Sequence, residues 1–594
     1  MSGDSERQAM DVDIACVGFG PATAGFLATL AKSLVNSDGS PAIESRVMPG
    51  LPLQVVCYER ADDVGFGVSG IVTRARGIRH SMPELDFSQI PMAAAVVDEK
   101  VVYLLDPVGA SRRSFALRTI DRVVRTLRLH RDFGCRLPYV PRFLRKDGGV
   151  VLSMGQFMQH MAGELSSGGL LQIWPGMPVA EALPGATVGS VGGIRLTDQG
   201  AEPGMDIHAE LTVIGDGPVG AVGRQLDERL GMPEGHHHRE WALGMKFVVD
   251  LPESTELAPG MVLHTIGYPE PEIFGYLYVH PGNVASVGIF VPSWFRSPVR
   301  TAYRYLQHYV THPYLWRHLQ GGKLRSWGAK SLEESGRRGE PFLVGDGFAR
   351  IGEGSGSTNV LTGSGVDEAW TTGTLLAQAA VRLARDCRPF TRENLERTYV
   401  TLRRSSWVER DSRIAEKSRD GFHRGVVRGM AGMVLASLTG GRLSLGGEPR
   451  PAAPMEQFYT GKIPADRLRH IVADCRAKGI SCHDALMDAC GWPPVPFDGE
   501  ILVTHQDALL VGGKVQAPAG FGDHVQFRAP DVCEACAAKL CIEMCSGEAI
   551  RPGSDGAPAF DREKCVFCGA CVWNCPNSVI TFQAGAGGLH STEN

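Results

Sequence analysis

The chain has 594 residues, a formal net charge of −5 and 21% charged residues. That length corresponds to about three to four domain equivalents. The near-balanced charge offers no basic surface for nucleic acid and no acidic tail, and no stretch of about 18 apolar residues is present to span a bilayer as a helix. The opening MSGDSERQAMDVD is polar and lacks an apolar core, so neither a signal nor a transit peptide is expected and synthesis in the cytoplasm follows.

From Val12 to Val17 the run VDIACV predicts a buried parallel strand that passes into Gly18-Phe19-Gly20-Pro21-Ala22-Thr23 and an apolar helix. This is a dinucleotide fingerprint. Gly18 permits the tight turn, Gly20 lets backbone approach a pyrophosphate, and the helix N-terminus offers unpaired N–H groups. Pro21 and Ala22 open the helix, and Thr23 stands where the third glycine is usual. The second strand, LQVVCYE, ends in Glu59, which is expected to hold the adenosine ribose. Arg60 and the following loop ADDVGFGVSG, with Gly67, Ser69 and Gly70, are assigned to the flavin because glycines let backbone amides approach an isoalloxazine ring.

KVVYLL and SFALRTI, between Lys100 and Val124, show strand-like alternation, and Ser153 caps a predicted helix to Leu165. The arginines from Arg112 to Arg131 read as a solvated or partner-facing surface. ELTVIGD, ending at Asp216, is a third buried strand. Asp216, Gly217 and Arg224 form D-G-x6-R, the turn that returns the chain to FAD in two-dinucleotide-fold flavoproteins; no NAD(P) is expected there. His236 to His238 read as a solvated loop. Trp241 to Pro292 is strand-rich, with a hairpin turning at Pro281-Gly282-Asn283, and Trp294 and Phe295 are a candidate interfacial wedge. TAYRYLQHYVTH predicts an amphipathic helix. A strand then ends in Gly345-Asp346, assigned as the second FAD contact, followed by Gly356, Asn359 and Val360 and by a helix from about Val366. Asn359 and Gly365 are placed beside the flavin ring.

Leu395 to Asp420 is expected to be a charged, solvent-exposed helix. Gly425 to Gly441 is apolar, too short to span a bilayer and preceded by Arg424, with Arg428 inside it; it is the candidate membrane-facing segment. Lys462 to Gly491 predicts a small helical insert whose Cys475, Cys482, His483 and Cys490 lack ligand spacing, and ILVTHQDALLVGG reads as strand-like. Eight of the fifteen cysteines fall between Cys533 and Cys575. Cys565, Cys568, Cys571, Cys575 and Pro576 match C-x2-C-x2-C-x3-C-P, in which the fourth cysteine ligates the other cluster. Crossover then groups Cys545 with Cys565, Cys568 and Cys571, and Cys575 with Cys533, Cys536 and Cys541. Zinc or disulfides would not account for all eight together.

The segments GFGPATAG, LPLQVVCYE, VGFGVSGIV, HPYLWRHLQGGK, GSTNVLTGSG, SWVERDSRIAEKSRDGFHRG and the cysteine module occur in an order that resembles the electron-transfer flavoprotein–ubiquinone oxidoreductase family. That resemblance implies one [4Fe-4S] cluster on Cys545, Cys565, Cys568 and Cys571; Cys533, Cys536, Cys541 and Cys575 go beyond the family pattern. It also implies FAD, reduced electron-transfer flavoprotein as donor, ubiquinone or menaquinone as acceptor, and peripheral attachment to the cytoplasmic face of the membrane. The alternatives are a soluble, ferredoxin-linked flavoprotein reductase of a small organic substrate, similar to geranylgeranyl reductases, and a non-catalytic relay subunit. The expected architecture is α/β and α+β. It comprises a Rossmann-like FAD-binding domain (1–235 and 336–422), an inserted β-rich quinone or substrate domain (236–335), a membrane-facing segment with connector and insert (423–530), a ferredoxin-like domain (531–585) and a tail (586–594).

Overall fold

A computed structural model of the chain describes residues 7–66, 70–237, 240–292, 302–359, 361–363, 365–446, 463–511, 522–554 and 556–583. The expected residues Gly67, Ser69, His238, Trp294, Phe295 and Val360 lie outside the described residues.

The central element is the strand Ala9–Val17, whose last six residues are buried. It pairs in parallel with Val55–Tyr58 on one side and Asp206–Ile214 on the other. Leu171–Trp174 and Phe348–Arg350 extend the parallel core outward, and Val344–Gly345 folds back on Phe348–Arg350 as an antiparallel edge. The chain leaves Ala9–Val17 into the helix Pro21–Ala31, which has proline at its first positions and packs on Val366–Arg385. Proline suits the first turn because its missing N–H would have no intrahelical partner. Glycine brings the two helices together: a Cβ on Gly373 would lie 1.8 Å from the Ala22 carbonyl oxygen, and one on Gly25 2.5 Å from that of Trp370.

The inserted sheet runs Lys323–Glu333, Trp241–Asp250, Val284–Pro292, Phe274–His280, Met261–Ile266, Asp98–Leu104, Gly134–Arg136. Both of its faces are covered, and strict alternation divides them. Leu243, Met245, Phe247, Leu277, Val279, Val287 and Ile289 enter a core with the helix Ala302–Val310 and the helical insert. Lys246, Tyr276, Tyr278 and Phe290 face the other way, into a cavity. Pro281 to Asn283 turn the hairpin as expected, with Asn283 at φ 56°.

Three expectations about local structure are corrected. SFALRTI is not a strand: Phe115–Thr126 is a helix, because the Ser114 side chain accepts from Leu117 N and buried Leu117 and Asp121 share one face. ILVTHQDALLVGG is likewise helical over His505–Val511. There the Thr504 hydroxyl accepts from Asp507 N at 3.2 Å, and Ala508 and Leu509 are buried. The span Leu395 to Asp420 is neither continuous nor solvent-exposed. It breaks at Ser406, whose φ and ψ of −78° and 167° are extended, and it buries Leu395, Tyr399, Arg403, Glu409 and Ala415. Arg403 and Arg404 find their counter-charge in buried Glu340, so charge in this stretch does not mean exposure.

The predicted helix in the membrane-facing segment forms over Val426–Thr439. Gly429, Gly432, Met433 and Ala436 pack inward, while Val427, Val434 and Leu438 are 52%, 51% and 81% exposed. The C-terminal module is two small antiparallel pairs, Val525–Phe527 with Ile580–Phe582 and Ile550–Pro552 with Pro558–Phe560, with the cysteines on the intervening short helices and turns. Among the described residues no helix is long and apolar enough to cross a membrane.

Candidate functional site

The cavity lies beyond the C-terminal ends of Ala9–Val17 and Asp206–Ile214, under the inserted sheet, where open α/β sheets receive their ligands. Its cavity volume is about 350 Å³. At its dinucleotide end, Gly18 has φ +82°, and a Cβ there would come within 2.9 Å of Gly215 O; Gly20 faces open space. Gly20, Pro21 and Ala22 line the cavity. Thr23 is buried, and a Cβ on Gly215 would lie 2.4 Å from its Oγ1, so glycine on the facing strand compensates for threonine in the fingerprint. Glu59 stands beside this turn. Its carboxylate accepts from Phe19 N at 2.8 Å and from Ala61 N at 3.0 Å.

Asp216 and Gly217 come directly after the third strand. Asp216 accepts from Gly223 N at 2.9 Å, and burial pushes its carboxyl up to about 6. Gly217, Asn359 and Gly365 all line the cavity, as does Gly70. Asn359 holds its own loop by accepting from Leu361 N, and Gly365 opens the helix Val366–Arg385 with no side-chain cap, so its unpaired N–H groups face the cavity. A buried lysine completes this wall. Among the described residues Lys246 Nζ has no hydrogen-bond partner, burial drives its pKa well below the usual lysine range, and a Cβ on Gly70 would sit 3.3 Å from it. A glycine turn, an uncapped helix end and a buried amine around one cavity fit a flavin dinucleotide carrying pyrophosphate and a ring with hydrogen-bonding edges.

Four expected contacts fall elsewhere. Arg60 lies over the Phe567 ring at 3.5 Å, on the cysteine module rather than in the cavity. Gly345 and Asp346 lie at the sheet edge, where Asp346 accepts from Arg392 N at 2.7 Å. Gly356 packs on Glu340. The second turn at the cavity is Gly352-Glu353, which carries no Gly-Asp dipeptide to mark it in the sequence. The signal was topological: Phe348–Arg350 is parallel to Asp206–Ile214, so the turn after its C-terminal end reaches the ligand crevice, whereas Gly345 ends an antiparallel edge strand. Lys246, His264 and Arg419 were also missed. All three sit on the cavity wall, and no local motif marks them.

The cysteine thiols of the module lie close enough to one another to interact. Buried Cys565 and Cys571 are raised well above the usual thiol range by burial and by the charges of Cys545 and Cys568, Cys571 also by that of Cys565. Cys541 is pushed up to about 12 by burial and by Cys575, Cys533 and Cys536. Backbone amides already point at two of these sulfurs, with Ala549 N 3.1 Å from Cys545 Sγ and Phe567 N 3.4 Å from Cys565 Sγ. Deprotonating such buried thiols is costly without metal charge, and that charge is what an iron–sulfur cluster supplies. His236 and His237 bond the Glu340 and Arg338 backbone, while Cys475 and Cys482 are buried in the insert.

The module docks directly behind the cavity. Ser331 N donates to Cys568 O at 2.7 Å, while Lys330 and Leu332, on either side of Ser331, line the cavity. Trp573 stacks on Trp241 at 3.7 Å and 10°, with Arg224 4.9 Å above its ring. A Cβ on Gly569 would meet Val219 Cγ1 at 2.5 Å, two residues from the Gly217 turn.

Fold and site define a flavin-binding oxidoreductase with an appended iron–sulfur domain. Residues 241–332 match the family model described as ETF-QO, ubiquinone-binding, and residues 558–581 match the 4Fe-4S binding domain. The chain is 24% identical to the mitochondrial electron transfer flavoprotein-ubiquinone oxidoreductase of Arabidopsis thaliana, over 99% of this chain and 85% of that protein. It is 26% identical to the probable enzyme of that name from Acinetobacter baylyi, over 63% of this chain and 62% of that one. With the Pseudomonas aeruginosa protein the figures are 25%, 63% and 64%, so the two bacterial matches each span under two thirds of the relative. Among solved structures, a geranylgeranyl bacteriochlorophyll reductase-like protein from Thermoplasma acidophilum superimposes with a TM-score of 0.49 at 15% identity, covering 74% of this chain and 93% of its own. The family matches and the named relatives bear out the resemblance to the electron-transfer flavoprotein–ubiquinone oxidoreductases, and with it the reading of the chain as an FAD and 4Fe-4S oxidoreductase.

Proposed function

We propose that this protein passes electrons from reduced electron-transfer flavoprotein, through its iron–sulfur and flavin sites, to ubiquinone or menaquinone at the membrane surface. The observation that carries the reading is the single strand Lys323–Glu333, with Cys568 bonded to its backbone behind and the cavity in front. An electron crossing between a cluster at Cys568 and a group in the cavity would traverse one strand. FAD exchanges one or two electrons and a cubane passes one at a time, so the pair can join single-electron supply to two-electron quinone reduction.

In this reading Gly18, Gly20, Pro21, Ala22 and Glu59 hold the adenosine and pyrophosphate. Gly70, Asp216, Gly217, Gly352, Asn359 and Gly365 border the rest of the cofactor, and the buried Lys246 amine offers it a hydrogen bond. Cys545, Cys565, Cys568 and Cys571 ligate one cluster; Cys533, Cys536, Cys541 and Cys575 ligate a second. The quinone head enters from the side of Phe143, Phe274, Leu361 and Met433, because Phe274, Phe143 and Met433 also pack with the base of Val426–Thr439. The outer face of that helix, with Val427, Val434 and Leu438 exposed, suits insertion at a lipid interface. The position of one apolar mouth beside one exposed apolar helix favours this over a soluble reductase or a relay subunit.

The test is turnover of a short-chain quinone analogue by purified, FAD- and iron-loaded enzyme with reduced electron-transfer flavoprotein. Flavin reduction without quinone turnover would overturn the acceptor assignment. Quinone turnover with a chemical reductant but none with reduced electron-transfer flavoprotein would overturn the donor assignment.

A further inference from the structure

A buried histidine is aimed at one cysteine of the C-terminal module. His524 is 1% exposed, and its Nε2 lies 3.2 Å from Cys565 Sγ. Its backbone carbonyl accepts from Gln583 N at 2.7 Å, which continues the pairing of Val525–Phe527 with Ile580–Phe582 by one residue and fixes where the side chain starts. Three aromatic rings then hold the imidazole. Phe560 and Phe582 meet it edge-on, at 5.3 Å and 88° and at 5.6 Å and 87°, and Phe567 lies tilted against it at 4.9 Å and 34°. Phe567 is itself two residues from Cys565 and donates its backbone N–H to the same sulfur at 3.4 Å. A buried donor without an acceptor is costly, and among these phenylalanines Cys565 Sγ is the acceptor within reach of Nε2.

The direction of this hydrogen bond follows from the chemistry of the sulfur. A cysteine that binds a cluster does so as the thiolate, which has no proton to give. Nε2 must therefore carry the hydrogen, and His524 donates. Reduction of a cluster adds one electron and no proton, so its negative charge grows and part of that charge sits on the ligand sulfurs. A donor aimed at one of them stabilises the reduced form more than the oxidised form.

The two sets of cysteines differ in their surroundings. Cys545, Cys565, Cys568 and Cys571 are all buried, and Cys568 is bonded to the strand behind the cavity. In the other set Cys536 and Cys575 are half-buried, and Val532, Glu534 and Ala535 beside Cys533 are exposed. Burial disfavours added charge, so on its own it would make the inner cluster the harder of the two to reduce and an inward electron step uphill. We propose that His524, by donating Nε2–H to Cys565, raises the reduction potential of the cluster held by Cys545, Cys565, Cys568 and Cys571 and so offsets the effect of its burial. The proposal rests on the cluster assignments above. It makes His524 a potential-setting residue for the cluster one strand away from the flavin site.

The experiment uses the full-length, FAD- and iron-loaded enzyme, poised at a series of potentials and read by EPR. His524→Phe keeps an aromatic ring in the pocket and removes the donor. It is expected to shift the reduced-to-oxidised ratio of one cluster about tenfold toward oxidised at fixed potential, a fall of about 59 mV in its midpoint. Iron content and the flavin midpoint should stay as in wild type. Wild-type enzyme labelled with 15N-histidine should show a 15N coupling in the pulsed EPR of the reduced cluster, lost in labelled His524→Phe; the wild-type arm reads the contact even where the variant fails to assemble. An unchanged midpoint in His524→Phe, equal falls in two clusters, no coupling in the wild type or a coupling that persists in the variant would each overturn the proposal. Full iron content in Cys565→Ser would instead overturn the ligand assignment on which it rests.

Discussion

Trp573→Ala tests whether the iron–sulfur module works from the position the fold assigns to it. The side chain stacks on Trp241 at 3.7 Å and carries Arg224 over its ring, while remaining half-buried at the domain junction. The stack contributes about 0.5–1.5 kcal/mol beyond area burial, and a partly exposed cation over indole about 0.5–1 kcal/mol. Truncating a fully buried tryptophan costs about 3–5 kcal/mol; half of that applies here. Together these weaken docking by about 2.5–5 kcal/mol, or roughly two to three and a half decades in the docked-to-undocked ratio. Arg60 over Phe567, the Arg528–Glu228 pair and the Ser331 bond to Cys568 remain, so the module should loosen rather than separate. The assay is stopped-flow flavin reduction after the clusters are reduced, with iron content and flavin absorbance as controls. Intramolecular transfer should slow at least tenfold with both cofactors retained, limited proteolysis should release the C-terminal module, and Trp573→Phe should recover most of the rate. Unchanged transfer in Trp573→Ala would refute the reasoning, because the docked geometry would then be irrelevant to the electron path.

Gly18→Ala should yield protein lacking flavin absorbance, since φ +82° is strained for alanine and the new methyl would press on Gly215 O; normal FAD content would count against the dinucleotide turn. Loaded wild type should contain about eight iron and eight sulfide per chain, falling toward four in Cys533→Ser with one EPR signal lost; four in both would remove the second cluster. Leu438→Glu, at a position 81% exposed, should leave the thermal midpoint within about 1–2 °C of wild type yet cut cosedimentation with anionic liposomes several-fold. Undiminished liposome binding would move the membrane face elsewhere.

Legibility tracked the range of the interactions involved. The Gly18 turn, the Asp216 turn and the cysteine spacings are local, because the atoms that need each residue lie within a few positions of it. The misread segments were those where a distant partner overrides local pattern. Phe115–Thr126 alternates like a strand until the Ser114 cap and the buried Leu117–Asp121 face are seen. Leu395 to Asp420 reads as exposed because its arginines are numerous, yet Glu340, Glu334 and Glu409 receive them in the interior. Gly345-Asp346 carries the expected dipeptide, but the antiparallel edge turns it away, and Gly352-Glu353 reaches the cavity.

The sequence by itself determined the chemistry available: a dinucleotide turn, an ordered series of flavin-type loops and eight cysteines at ferredoxin-type spacings. Tertiary structure alone decided how these parts address one another. It set the cysteine module against the back of Lys323–Glu333, sent Arg60 to Phe567, and brought His524 to Cys565. Spacing motifs encode groups that one turn must hold together. Placement across a sheet depends on side-chain alternation and strand order, which become definite only when the whole sheet is paired.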